Sequence, residues 1–127
     1  MGWDLSARMR CADVALSVAG RIKRVVPISP VSDLRPLLQT AMNAELRLDQ
    51  DEAEAESPVL KQDLIETIIT IWMGAEERPS FLSQAHWLTE AWPGAKLRVA
   101  PGMHHFDVIE ELTEPGSPLC RALLDGV

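Results

Sequence analysis

The pattern of apolar positions predicts three strands in this chain. Thr67–Trp72 is almost continuously apolar and β-branched, which is typical of a strand that is covered on both faces. Arg24–Ser29 predicts a shorter strand, in which Pro27 marks the end or an unpaired position. In Lys96–Ala100, apolar residues alternate with charged ones. This alternation predicts a less covered outer strand, with its two internal apolar residues, Leu97 and Val99, pointing inward.

The segments between these strands show helical spacing. Pro79 stands where a helix can begin, and the apolar residues that follow it at spacings of four, three and four predict one buried helical face: Phe81, Ala85, Leu88 and Trp92. An earlier helix is expected from Leu5 to about Val18, ending at Gly20. Further short helices are expected over 32–38, within 40–56, after Phe106 to about Leu112, and from Ser117 to near Gly126.

Strands that alternate with helices indicate an α/β fold with a parallel sheet and helices on both faces. We therefore expect residues 1–127 to form a single, partial α/β domain. Three buried parallel strands leave an apolar edge open to pairing. The chain also begins with a predicted helix, whereas such folds usually begin with a strand. The pattern thus predicts that part of the domain precedes this sequence.

Composition excludes several classes of protein. With 46% hydrophobic and 24% charged residues, the chain is an ordinary globular one. Its net charge of −7 is concentrated in residues 45–56, where six carboxylates face Arg47 alone. No basic cluster is present, so we expect no nucleic-acid partner. No signal-peptide core or membrane span is visible, and Cys11 and Cys120 have no metal-type spacing. We therefore expect a cytoplasmic protein with two free thiols.

Candidate chemistry lies where the predicted strands end. In an open parallel sheet, ligands and catalytic groups gather beyond the carboxyl ends of the strands. Three segments fall there: 29–33, 73–78 and 101–107. The second holds carboxylates and the third holds histidines. A carboxylate at one strand end can orient an imidazole at the next, which is the acid–histidine half of a catalytic triad.

A metal site is the alternative that we consider for the histidines. His104 and His105 are adjacent, so they do not easily bind one ion together, and no third ligand is suitably spaced. His86 lies within a predicted helix and is interpreted as structural or exposed. We therefore expect neither a metal nor an organic cofactor.

An ordered series of motifs resembles α/β-hydrolases of the arylformamidase (kynurenine formamidase) and carboxylesterase type. The resemblance extends over nearly the whole chain, and the ordered set is far more specific than any one motif. Its landmarks are Ser32-Asp33-Leu34-Arg35-Pro36-Leu37-Leu38, Asn43, Ser57-Pro58, Met73-Gly74-Ala75-Glu76-Glu77-Arg78-Pro79-Ser80-Phe81 with Gln84, and Pro101-Gly102-Met103-His104-His105-Phe106-Asp107-Val108.

The resemblance implies roles for particular residues. In that family the acid precedes a Pro-x-Phe motif, which corresponds to Glu77 here, with Glu76 as the second choice. The histidine directly precedes a phenylalanine, which makes it His105. His104 is then a neighbour that shapes the loop, and Asp33 and His104 are possible pocket residues.

The nucleophile of the family is absent. The resemblance implies a Gly-x-Ser-x-Gly turn before the first helix, but no such motif occurs in the 127 residues, and neither does the His-Gly-Gly segment that provides an oxyanion-hole donor. Among the remaining serines, Ser29 and Ser32 are expected near the correct sheet edge, where a makeshift nucleophile is a minor alternative.

Two hypotheses for function remain. The first is the C-terminal part of a hydrolase for small esters or aryl formamides, which is inactive until an N-terminal half supplies the serine and the oxyanion hole. The second is a non-catalytic binding or assembly module that pairs through its exposed sheet edge with a partner or with itself.

Overall fold

In the computed structural model of the chain, residues 21–61 and 67–125 are described. Three strands, β1 (Arg24–Val25), β2 (Ile68–Gly74) and β3 (Lys96–Ala100), form a parallel sheet in the order β1-β2-β3. The predicted α/β class with about three parallel strands is therefore confirmed. The predicted helix from Leu5 to about Val18 lies outside the described residues.

In the part of the chain that the structure describes, the helices are short except for the one between β2 and β3. The α-helices are α1 (Asn43–Leu46), α2 (Gln50–Glu56), α3 (Pro79–Ala91) and α4 (Pro118–Leu124), and single 3₁₀ turns occupy Arg35–Gln39, Pro58–Leu60 and Glu110–Thr113. Segment 40–56 thus contains two separate helices. The second begins with a capping box, in which Asp49 and Glu52 each accept a hydrogen bond from the other's backbone amide.

Pro27 interrupts the first strand, as its missing N–H requires. The β1 ladder ends at Val25, and a single bridge then joins Ile28 to Trp72. The Pro27 carbonyl still accepts a hydrogen bond of 2.8 Å from the Trp72 amide. This interrupted pairing extends the first strand segment alongside β2 as far as Ser29.

Strand β2 separates two apolar cores. On one face, the alternate residues Ile69, Ile71 and Met73 pack against α3 through Ala85, Leu88 and Trp92. On the other face, Trp72 packs with Ala100, Val108, Leu119 and Ala122, the last two from α4. Both the predicted double coverage of β2 and the predicted buried face of α3 are confirmed.

Two predicted details are wrong. Val99 is 47% exposed rather than inward, because the buried residues of α3 pack on β2, and on that face of the sheet β3 adds only the partly buried Leu97 to the core. The helix predicted after Phe106 is a series of turns followed by the 3₁₀ turn Glu110–Thr113. In these turns the His104 and Asp107 side chains bond nearby backbone amides, and such local bonds compete with regular helix.

Candidate active site

The parallel register brings three loops to one edge of the sheet. Gly74 is paired with Ala100, so β2 and β3 end side by side. Beyond the strands, the Glu76 amide donates to the Met103 carbonyl at 2.9 Å. A Cβ on Gly74 would lie 2.2 Å from the Met103 carbonyl oxygen, so this close approach requires glycine.

Glu77 and His105 meet at this edge. Oε2 of Glu77 lies 3.0 Å from Nδ1 of His105, and the carboxylate side chain is fully buried whereas the imidazole is 39% exposed. The neighbouring Glu76 is exposed. Of the two candidate acids, the structure therefore pairs Glu77 with the imidazole.

Two further groups donate to the other oxygen of Glu77. The Gly74 amide donates to Oε1 at 2.9 Å, and the Ser29 hydroxyl donates to the same atom. Burial raises the pKa of Glu77, but the hydrogen bonds from Ser29, Gly74 and His105 outweigh it, so the pKa is lowered. The carboxylate is thus held in its charged form inside the protein.

Aromatic rings fix the imidazole of His105. Phe81 stacks on it, with the ring centroids 4.5 Å apart and the planes at 24°. Phe106 meets it edge to face at 5.4 Å and is itself 81% exposed. Within residues 21–61 and 67–125, Nε2 of His105 has no hydrogen-bond partner. An imidazole that donates Nδ1–H to a carboxylate keeps a basic Nε2, which is the arrangement of a general base.

His104 has a different environment from His105. Its Nδ1 accepts from the backbone amides of Phe106 and Asp107 at 3.1 and 3.3 Å, and its Nε2 lies 3.2 Å from the Asp107 carboxylate. All of these contacts lie within its own turn. His104 therefore shapes the loop that carries His105.

Asp33 is a buried residue of the loop that follows Ser29. Its carboxylate binds Arg35 through two hydrogen bonds of 2.9 and 2.7 Å. These contacts to the guanidinium hold the pKa of Asp33 below its usual range. Its carbonyl accepts from the Gln84 side chain at 2.9 Å. These contacts stabilise the loop, and a pocket role for Asp33 stays a prediction.

The serines considered as substitute nucleophiles are both engaged elsewhere. Ser29 donates to Glu77, and the Ser32 hydroxyl is buried and donates to the Gln84 carbonyl at 2.5 Å. The sequence placed Ser29 at the correct sheet edge but did not predict its contact with Glu77. The contacts of Gly74 and Phe81 were also missed, although both residues lie in the motif that carries the acid.

Among 21–61 and 67–125, no group of three or more His, Cys, Asp or Glu side chains is arranged to hold a metal ion. In the same ranges, no helix is long and apolar enough to cross a bilayer.

The fold and the site together indicate one class of structure. The sheet is parallel and covered on both faces, and a buried acid contacts a histidine beyond the strand ends. These are the features of part of an α/β-hydrolase fold.

Comparison with known proteins narrows this class. A search against protein-family models finds no match. The chain is 28% identical to a kynurenine formamidase of Danio rerio over 133 aligned residues, which cover 97% of this chain and 45% of that protein. It is also 28% identical to a kynurenine formamidase of Salmo salar, over 85% of this chain and 40% of that protein.

A solved structure is also similar to this chain. The crystal structure of a protein described as a candidate thioesterase, from Silicibacter sp. TM1040, matches with a TM-score of 0.79 and 53% identity over 82% of this chain and 39% of that one. In sequence and in fold, the chain is therefore similar to part of α/β-hydrolases of the arylformamidase and esterase type, as its motifs predict. It spans less than half the length of the relatives that it matches.

Proposed function

We propose that this chain is the acid–base part of a serine-type α/β-hydrolase that cleaves small carboxylic esters or aryl formamides. The observation that carries the proposal is the contact between buried Glu77 and Nδ1 of His105. The similarity to two kynurenine formamidases and to a protein described as a thioesterase supports an acyl-group substrate.

The proposed mechanism uses His105 as the proton carrier. A serine hydroxyl attacks the substrate carbonyl while Nε2 of His105 takes its proton, and the same proton then passes to the departing alcohol or amine. Water then gives a proton to the same nitrogen and attacks the acyl-enzyme, the ester bond to serine breaks, and the proton passes to the serine oxygen as the acid product leaves. Glu77 keeps Nδ1 protonated and stabilises the imidazolium that forms in each step. The mechanism invokes no metal and no organic cofactor.

The nucleophile and the oxyanion-hole donors must come from other polypeptide. The 127 residues contain no Gly-x-Ser-x-Gly motif, and without a nucleophile the acid–base pair cannot form an acyl-enzyme. Loss of one oxyanion donor alone costs about 3 kcal/mol of transition-state stabilisation. We therefore expect the chain by itself to turn over neither p-nitrophenyl acetate nor N-formylkynurenine.

A chimera tests the acid–base assignment directly. The segment of the Silicibacter protein that matches this chain is replaced by it, and hydrolysis of p-nitrophenyl esters is measured after activity of the parent has been established. We expect His105→Ala and Glu77→Gln each to lower kcat by about 10²- to 10⁴-fold, because the base or its orienting partner is lost.

Matched controls exist within the chain. His86 on α3 and Glu76 beside the acid are both exposed, and neither side chain contacts the pair. The control variants His86→Ala and Glu76→Gln should therefore leave kcat within about twofold of the unsubstituted chimera. Turnover by the 127-residue chain alone that His105→Ala abolishes would contradict the need for an external nucleophile. An active chimera that is indifferent to His105→Ala would contradict the whole proposal.

The second candidate is an assembly module, and the observation that favours it is at the edge of the sheet. In the described part of the chain β3 is an edge strand, and its Val99 is 47% exposed. An exposed apolar edge strand is a template for pairing with another chain. The occupant that this alternative proposes is a second copy of the chain.

A further inference from the structure

We propose that Ser29 is a positioning residue for the acid–histidine pair, and that its hydroxyl holds the Glu77 carboxylate with Oε2 directed at His105. The inference rests on the proposed function for its catalytic meaning, but the contact itself does not. Ser29 comes 48 residues before Glu77 in the chain, and only the fold brings the two together.

Backbone hydrogen bonds on both sides of Ser29 fix the position from which its hydroxyl reaches Glu77. The Ser29 amide donates to the Trp72 carbonyl at 2.8 Å, directly after the bridge between Ile28 and Trp72. Three residues further on, the Ser32 amide is held by Oε1 of Gln84 at 2.9 Å. Ser29 is therefore anchored on both sides, and its side chain has a fixed place at the end of the first strand segment.

The conformation of Ser29 is one that serine rarely adopts. Its φ angle is +48°, in the left-handed region where glycine, asparagine and aspartate are the common residues. Strained backbone of this kind persists where the surrounding structure fixes it, and it is concentrated at functional sites. Glycine would relieve the strain but would bring no hydroxyl.

The two oxygens of the Glu77 carboxylate have separate partners. Oε1 accepts from the Ser29 hydroxyl and from the Gly74 amide, whereas Oε2 is left for Nδ1 of His105. The side chain is fully buried, so water cannot easily replace a missing donor. Without the hydroxyl, Oε1 keeps a single donor, and the carboxylate is less firmly held in the charged form and in the rotamer that His105 needs.

The protonation states of Glu77 and His105 depend on the Ser29 hydroxyl. Burial raises the pKa of Glu77, and among the contacts that lower it the Ser29 hydroxyl is the strongest. Because ionised Glu77 accepts at Oε2, it keeps the proton of His105 on Nδ1 and leaves Nε2 basic. A donor to Oε1 thus acts on His105 through Glu77, and it needs no contact with substrate.

NMR titration of the 127-residue chain tests the role without any catalysis. The carboxyl carbon of Glu77 is followed against pH in the unsubstituted chain, in Ser29→Gly and in Ser29→Ala. We expect the pKa of Glu77 to rise by about one unit in both variants, because each loses a hydrogen bond to a charged group. Ser29→Gly removes the hydroxyl while relieving the backbone, so its fold should be retained. Ser83→Ala, which removes a helix-face hydroxyl bonded only to the Pro79 carbonyl, should leave the pKa of Glu77 unchanged.

Two further readouts separate positioning from general stability. The ¹⁵N shifts of the His105 ring should report loss of the fixed Nδ1–H tautomer in Ser29→Gly under conditions in which the variant remains fully folded. In the unsubstituted chain, the Ser29 hydroxyl proton should be protected from exchange and should shift as Glu77 titrates.

An unchanged pKa of Glu77 in Ser29→Gly would overturn the inference, and so would a hydroxyl proton that ignores that titration. Failure of the chimera to hydrolyse esters would instead count against the proposed function and would leave the titration result standing.

Discussion

At the scale of single residues, the candidate site depends on a carboxylate that stays charged although it is buried. The Glu77 side chain has no solvent exposure, and its three donors come from three different segments of the chain. Two of the donors, Ser29 and His105, are distant from Glu77 in sequence, so the unfolded chain does not hold them near it. The charged form is therefore favoured by folding itself.

This preference predicts how stability depends on pH. The pKa of Glu77 is lower in the folded protein than in the unfolded chain, so its contribution to the free energy of unfolding is complete above the unfolded value of about 4.3. That contribution is lost as the pH falls through the lower, folded value. We expect the free energy of unfolding, measured with urea between pH 7 and pH 3, to fall as the pH is lowered. In Glu77→Gln this fall should be smaller, because the contribution of Glu77 is missing.

Glu76→Gln is the matched control for the pH experiment. Glu76 is exposed, so its substitution should retain the full acid-dependent loss of stability. The interpretation would be wrong if Glu77→Gln had the same pH dependence as the unsubstituted chain. Asp33, whose pKa is also lowered by Arg35, contributes equally in all three proteins and does not alter the comparison.

At the scale of elements, one glutamine joins the loop after β1 to α3. Oε1 of Gln84 accepts from the amides of Ser32 and Asp33 at 2.9 and 2.7 Å, and its Nε2 donates to the Asp33 carbonyl at 2.9 Å. A side-chain amide that pairs with both groups of a backbone segment replaces the partners that a regular element would supply. The position of Ser29 depends on these hydrogen bonds, because they fix the loop that contains it.

The hydrogen bonds of the Gln84 side chain predict that Gln84→Ala lowers the free energy of unfolding substantially. Two buried backbone amides and a buried carbonyl would lose their partners, and each unsatisfied group costs about 1–3 kcal/mol. Partial access of water reduces the total, so we expect a loss of about 2–4 kcal/mol in the free energy of unfolding, measured by denaturant titration. Gln39→Ala, at an exposed glutamine, should stay within about 0.5 kcal/mol. Equal stabilities of the two variants would show that the Gln84 contacts are not needed.

At the scale of the whole molecule, the two candidate functions predict different assembly states. The assembly alternative predicts a concentration-dependent dimer through the edge of β3, seen by size-exclusion chromatography with light scattering. Val99→Lys should dissociate it, because a charged edge strand resists pairing. Met42→Lys is the control, since Met42 is similarly exposed at 58% and lies outside the sheet. A species with the mass of one chain at every concentration would count against this alternative.

Much of the sheet could be predicted because its signals are local. The almost continuous apolar run of β2 and the four-three-four spacing of α3 both correspond to buried surfaces. The exposed Val99 and the turns after Phe106 could not be predicted in the same way. Coverage of β3 depends on where α3 packs, and the turns depend on side-chain bonds that the apolar pattern does not record.

The sequence by itself determined the candidate strand-end loops, since parallel strands end at one edge and the motif order identifies which ends carry an acid and a histidine. It left Glu76 and Glu77 open, and it placed Ser29 at the correct edge without a role. Only the tertiary structure decided these points: Glu77 is buried against His105, Glu76 is exposed, and Ser29 donates to the acid. The physical reason is that the direction of a side chain in a loop is set by contacts with residues distant in sequence. The spacing of residues along the chain does not record those contacts.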